Sequence, residues 1–154
     1  MQLHLIRHAH AEDTRPDPLR RLSKRGRRQV RTLARFLRRS EAFTPKEIWH
    51  STLVRARETA ELLAERTRLK VPLREIAGLA PEDNPARFAR QLATCEKTVA
   101  VVGHEPFLSA LASLLVAGAP APVRFAMKKG AVLTLERERR HWTVRWHVSP
   151  DLLG

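Results

Sequence analysis

Two histidines and two arginines in this chain stand where side chains can do chemistry. Arg7 and His8 close the first apolar run, L-H-L-I, and His104 follows the run V-A-V-V-G. Arg55 lies four residues past Ser51. Imidazole is a nucleophile when neutral, and guanidinium groups bind phosphoryl oxygens through planar, bidentate forks. Two of each, brought together, make a cationic pocket suited to a phosphoryl group. Like charge disfavours the imidazolium, so a histidine between arginines stays neutral at physiological pH. Attack of its free ring nitrogen on phosphorus gives a phosphohistidine intermediate, while the other groups offset charge on the equatorial oxygens. That scheme needs no metal. H-A-H at His8 and His10 is too close for a helical ligand pair and there is no Cys/His set, so a metal site there is the minor alternative.

The elements needed to position these groups can be read from periodicity. Residues 1–6 form a short strand that gives way at Arg7-His8, and ligands bind at the carboxyl ends of strands in open α/β sheets. Residues 11–21, rich in Pro and charge, read as a loop. Ser23 caps a helix to about Arg39, whose Val30, Leu33, Ala34 and Leu37 make one amphipathic stripe. Thr44-Pro45-Lys46-Glu47 fits a capping box and a brief turn with Pro45 at the first helical position. Glu47 to Ser51 is a second strand, leading into a helix with Ala56, Thr59, Ala60 and Leu63 on one side. Val71 to Ala80 reads as extended or irregular, and Asn84-Pro85 opens a helix to about Thr94.

Thr98 to Val102 is a β-branched run of the kind buried on both faces. Pro106 then starts a helix closed by Gly118. Gly130 to Leu135 and Trp142 to Val148 form a hairpin. The order β-α-β-α-α-β-α-β-β predicts a three-layer α/β/α fold, with a mainly parallel central sheet and a C-terminal antiparallel hairpin. Residues 1–154 are expected to be a single domain.

Composition narrows the classes. Hydrophobic content of 43% and charged content of 29% suit a soluble globular chain. There is no apolar run of membrane-span length and no signal-peptide pattern, and Cys95 has no partner for a disulfide, so a cytoplasmic protein without membrane association is expected. The net charge of +13 fits nucleic acid, an anionic membrane surface or phosphorylated substrates, and equally an arginine-rich solvated surface. Aromatic content of 5%, with no tyrosine and no basic-aromatic motif, argues against a nucleic-acid-binding module. The arginine-rich face of the Ser23 to Arg39 helix is either solvated or a docking surface for an acidic partner.

Five stretches, in order along nearly the whole chain, resemble the histidine phosphatase superfamily, whose fold is phosphoglycerate-mutase-like. They are L-I-R-H at residues 5–8, L-S-K-R-G-R-R-Q at 22–29, S-T-L-V-R-A-R-E-T-A at 51–60, V-G-H-E-P at 102–106, and the ending W-H-V-S-P. The last is similar to the close of the small SixA-type phosphohistidine phosphatases. The resemblance implies that His8 is the phosphorylated nucleophile, that Arg7 and Arg55 bind the phosphate, and that His104 contacts the transferring oxygens. It also implies a further phosphate contact from Arg20, with Arg21 close enough to exchange roles, and no cofactor. Ala9 stands where the family usually has Gly, a change of little consequence unless positive φ is required.

The larger phosphomonoesterases of this family carry a Glu that protonates a leaving alkoxide. Glu82 or Asp83 is the candidate here, yet P-E-D-N-P reads equally as a capped helix entrance. An imidazole leaves far more readily than an alkoxide and has less need of an acid. The expected substrate is therefore a phosphohistidine-bearing protein domain. The alternatives are a small phosphorylated molecule such as a sugar phosphate or nucleotide, and a catalytically dead relative, against which Arg7, His8, Arg55 and His104 all argue.

Overall fold

A computed structural model describes residues 1–154. Its six-stranded sheet runs β3-β2-β4-β1-β5-β6, from β1 (Gln2–Arg7), β2 (Glu47–His50), β3 (Leu73–Glu75), β4 (Val99–Gly103), β5 (Val132–Glu138) and β6 (His141–Val148). The pairs among β3, β2, β4 and β1 are parallel, while β5 and β6 pair antiparallel, as the alternation predicted. Four helices cover it: α1 (Lys24–Ser40), α2 (Val54–Thr67), α3 (Pro85–Ala93) and α4 (Phe107–Ala117).

Two cores of 16 residues each lie on opposite faces of the sheet. Val30, Leu33, Ala34 and Leu37 of α1 join Ala56, Ala60 and Leu63 of α2 on one face. Phe88, Leu92, Phe107, Leu108 and Leu111 of α3 and α4 close the other. β4 contributes to both, through Val99 and Val101 to one core and Ala100 and Val102 to the other, which is why its sequence is apolar throughout. No helix is long and apolar enough to cross a membrane.

Ser23 caps α1 by accepting from the Gly26 amide at 3.0 Å, and Gly118 closes α4 in the left-handed region at φ 84°. Three local expectations change. Residues 44–46 form no helical turn, because the Lys46 amide already donates to the Thr98 carbonyl at 2.8 Å. Glu47 caps nothing there; its carboxylate accepts from Trp49 Nε1 at 2.6 Å and Lys97 Nζ at 2.8 Å. Pro106 is the cap of α4, not its first residue. Within the segment expected to be extended, Leu73–Glu75 pairs with β2 as an edge strand.

The chain leaves β1 toward β2 and leaves β4 toward β5, so these neighbouring strands send it in opposite directions. The crevice beyond their carboxyl ends is where such sheets bind ligands.

Candidate active site

Strand register brings the two histidines together. Arg7 pairs with Gly103 across β1 and β4, so the next residues, His8 and His104, leave the sheet side by side with ring centroids 5.0 Å apart. The neighbouring β2 ends level with them, and the Ser51 amide donates to the Val102 carbonyl at 3.1 Å. Its hydroxyl lies 2.5 Å from His104 Nε2.

The backbone after β1 is held at each residue. The His8 amide donates to the Gly103 carbonyl at 2.9 Å, that of Ala9 to Thr59 Oγ1 at 3.1 Å, and that of His10 to Gln29 Oε1 at 2.9 Å. A Cβ on Gly26 would collide with the His10 carbonyl, so only glycine lets α1 pack this closely. Ala9 keeps a negative φ, and its missing glycine costs nothing. A side chain on such a loop is held in place before any ligand arrives.

Hydrogen bonding sets the tautomers. His8 Nδ1 lies 2.8 Å from the Ala9 carbonyl, which can only accept, so Nδ1 carries the proton and Nε2 the lone pair. Burial, with the charges of His104, Arg55 and Arg7 adding to it and the Ala9 bond opposing, lowers the His8 pKa to about 3. Burial, then Arg55, lowers His104 to about 4. Both rings are neutral at pH 7. The Ser51 hydroxyl accepts from the Leu53 amide at 3.1 Å and can donate its own proton to His104 Nε2. His104 Nδ1 is a buried polar atom without a partner, as are Nε of Arg7 and Nε of Arg55. Unpartnered buried polar atoms on the two arginines and the second histidine suit a phosphoryl group.

Arg55 is 7% exposed in its side chain, and although Glu58 and Glu61 lie further along α2 it pairs with neither. Glu58 instead holds Arg21 at 3.0 Å and Glu61 pairs with Arg57. Arg21 is thereby turned away, whereas Arg20 Nη1 lies 3.2 Å from Asp17 Oδ1. Asp17 Oδ2 is 3.4 Å from both terminal nitrogens of Arg55, and the Asp17 carbonyl accepts from Arg55 Nη1 at 3.0 Å. Sequence reasoning missed this carboxylate; the Asp17-to-Arg20 spacing, one turn of a helix, was its only signal. Burial works to raise the Asp17 pKa, but the Arg20 hydrogen bond and the Arg55 charge outweigh it and hold the carboxyl below its usual range. Asp83 closes its own turn by accepting from the Ala80 amide at 2.7 Å, and Glu82 is exposed with no bonded partner. The carboxylate whose charge acts on His104 is Asp17.

The model of the histidine phosphatase superfamily (branch 1) matches residues 3–80, which hold Arg7, His8, Asp17, Arg20 and Arg55. The chain belongs to this superfamily. No curated protein matches it. Among solved structures it is similar to the protein histidine phosphatase SixA complexed with tungstate, at 22% identity, TM-score 0.90 and complete coverage of both chains. It is also similar to a putative phosphohistidine phosphatase SixA from Agrobacterium tumefaciens (21%, TM-score 0.80, 97% of each chain). A putative alpha-ribazole-5'-P phosphatase from Escherichia coli K-12 matches at 20% and TM-score 0.80, over 97% of this chain and 98% of that one. These likenesses give the histidine phosphatase fold, and family membership gives a phosphatase.

Buried neutral imidazoles make the fold sensitive to acid. His4, 2.7 Å from Thr134 Oγ1, is lowered by burial to about 4, alongside His8 and His104. Unfolded imidazoles titrate near ~6.5. Between there and about 4 the unfolded chain binds protons that the folded one refuses, so stability rises with pH across that window and levels off above it. The Tm should fall as pH drops from 7 to 5 and stay constant from 7 to 8. A Tm unchanged between 7 and 5 would mean that these rings do not titrate as their burial requires.

Proposed function

We propose that this histidine phosphatase hydrolyses phosphohistidine on a protein, by way of a covalent phosphohistidine on His8. His8 Nε2 attacks phosphorus as the P–N bond to the substrate imidazole breaks. That imidazole leaves with the bonding pair and takes a proton from solvent. Water then attacks the phosphorus on His8, and Nε2 leaves with its electron pair, releasing inorganic phosphate. Arg7, Arg55 and His104 donate to the equatorial oxygens in both steps. The donor set supports a reaction without metal, since two guanidinium groups repel a cation and His10 Nδ1 is engaged with the Ser23 hydroxyl at 2.6 Å.

The observation that carries the choice of substrate is Asp17. As the carboxylate at the pocket, held ionised by Arg20 and Arg55, it has no proton to give a leaving alkoxide. An imidazole leaving group has little need of one. A phosphohistidine peptide should therefore exceed an alkyl phosphate in kcat/KM by at least about a hundredfold.

One observation favours a second reading, a phosphomonoesterase acting on a small molecule. Phosphate bound at Arg55 and Arg20 would offset the charges that lower Asp17 and set an anion beside it, which raises its affinity for a proton and lets it act as an acid. Comparable rates on both substrates, with alkyl phosphate hydrolysis falling about a hundredfold in Asp17→Asn, would establish that reading instead.

A further inference from the structure

Beside the phosphate pocket, on the Arg7 side, lies a cavity of about 480 Å³ bounded by Arg7, His10, Arg25, Gln29 and the Lys128–Lys129 turn. That is more room than one phosphoryl group needs. Its charges do not balance. Arg7, Arg25, Lys128 and Lys129 bring four cations against the single carboxylate of Asp151. That carboxylate is already occupied, with Oδ2 2.7 Å from Lys128 Nζ and Oδ1 2.5 Å from the Ser149 hydroxyl.

Lys129 has no ion-pair partner. Burial, and then Arg7, Arg20, Arg25 and Arg55, push its ammonium below the usual lysine range. The mechanism at His8 uses neither Lys129 nor Arg25. Arg25 leaves the first turn of α1, whose position against the His10 backbone is fixed by Gly26. A rigid helix end and a tight turn thus place two unpaired cations at one opening that shares Arg7 with the nucleophile's pocket.

We infer that this cavity is a second anion subsite, in which Lys129 and Arg25 bind a carboxylate of the substrate next to the phosphoryl group held at Arg7. The substrate class is then a polypeptide in which acidic side chains flank the phosphohistidine, an assignment that rests on the phosphohistidine reading above. Arg25 offers a fork to the carboxylate and Lys129 a point charge, and binding the anion relieves the repulsion that Lys129 meets.

The test uses peptides carrying a non-hydrolysable phosphonate analogue of phosphohistidine flanked by Glu, Gln or Lys, with Kd read by fluorescence anisotropy. The wild-type protein should bind the Glu-flanked peptide about tenfold more tightly than the Gln-flanked one, a preference that shrinks with added salt. In Lys129→Gln combined with Arg25→Gln the ratio should fall to about one. In Lys129→Glu the order should invert toward the Lys-flanked peptide. Equal affinities in the wild type, a preference that survives the double substitution, or no binding of any peptide would each overturn the subsite. Turnover of the matching phosphohistidine peptide is read separately. Preference without turnover would leave the subsite standing and remove the phosphohistidine assignment.

Discussion

His8→Ala is expected to end turnover, lowering kcat by about a thousandfold or more, because it removes the atom proposed to form the intermediate. Rapid quenching of the wild-type protein at neutral to alkaline pH should show an adduct of about 80 Da, one phosphoryl group, that is lost in acid and absent from the variant. Misfolding cannot imitate this result if the fold is followed in parallel. His8 is 7% exposed and neutral, so its removal orphans no charge and no buried donor; the Ala9 carbonyl loses its 2.8 Å partner, a modest cost that the fold readout would register. The variant also lacks one imidazole lowered to about 3, so its Tm should fall less steeply than the wild type's between pH 7 and 5. A variant that keeps turnover would exclude His8 as nucleophile and, because the same ring is lost, a catalytic metal held by His8 and His10 as well. Loss of turnover with the wild-type acid profile intact would mean that the His8 ring is not held neutral by its surroundings.

Most of what positions His8 could be read from the sequence, and the structure shows why. Ser23, Gly26, Gln29 and Thr59 belong to the stretches that resembled the family, and all four surround the same three residues. Thr59 and Gln29 take the amides of Ala9 and His10, Ser23 donates its own amide to the His10 carbonyl at 3.0 Å, and Gly26 makes room for that carbonyl. The motif is a record of how one loop is held. The parallel sheet was legible from the alternation of strands and helices, and β4 most plainly, since a strand buried on both faces reads as a continuous apolar run; β2 hides the same burial behind Glu47 and His50.

What escaped was set by tertiary contact without local periodicity. β3 has three residues, two of them exposed, and exists because β2 offers it an edge. Lys128 and Lys129 precede a glycine and read as a turn; only the fold sets Lys129 near four arginines. Asp17 sits in D-T-R-P-D-P, a composition that says loop and nothing more. Its partner Arg55 is 38 residues away, and the Arg21 that lay close enough to exchange with Arg20 is removed by Glu58 on α2. Candidate acids sought after β3 therefore lay at Glu82 and Asp83, while the carboxylate at the arginines lies before α1.

Arg55→Ala should lower kcat/KM by about 10²- to 10³-fold, the cost of removing one preorganised donor from a developing anion. The effect has two parts because Arg55 has two jobs. Its buried Nε is free for the phosphoryl group, while its terminal nitrogens hold the Asp17 carbonyl at 3.0 Å and the Asp17 carboxylate at 3.4 Å. Without it, the short turn over Asp17–Leu19 loses its anchor to α2, and Arg20, which ends that turn, loses its position. KM should therefore rise along with the fall in kcat. Arg55→Lys separates the two parts. Lysine restores the charge at the phosphate but not the fork that spans Asp17, so kcat should recover by about tenfold while KM stays high. Asp17→Ala supplies the complement, because it releases the guanidinium from the carboxylate while the bond to the main-chain carbonyl remains. A KM raised in Asp17→Ala as in Arg55→Lys would place the loss in the positioning of Arg20. A KM lowered there would instead make Asp17 a competitor that phosphate must displace from the arginines.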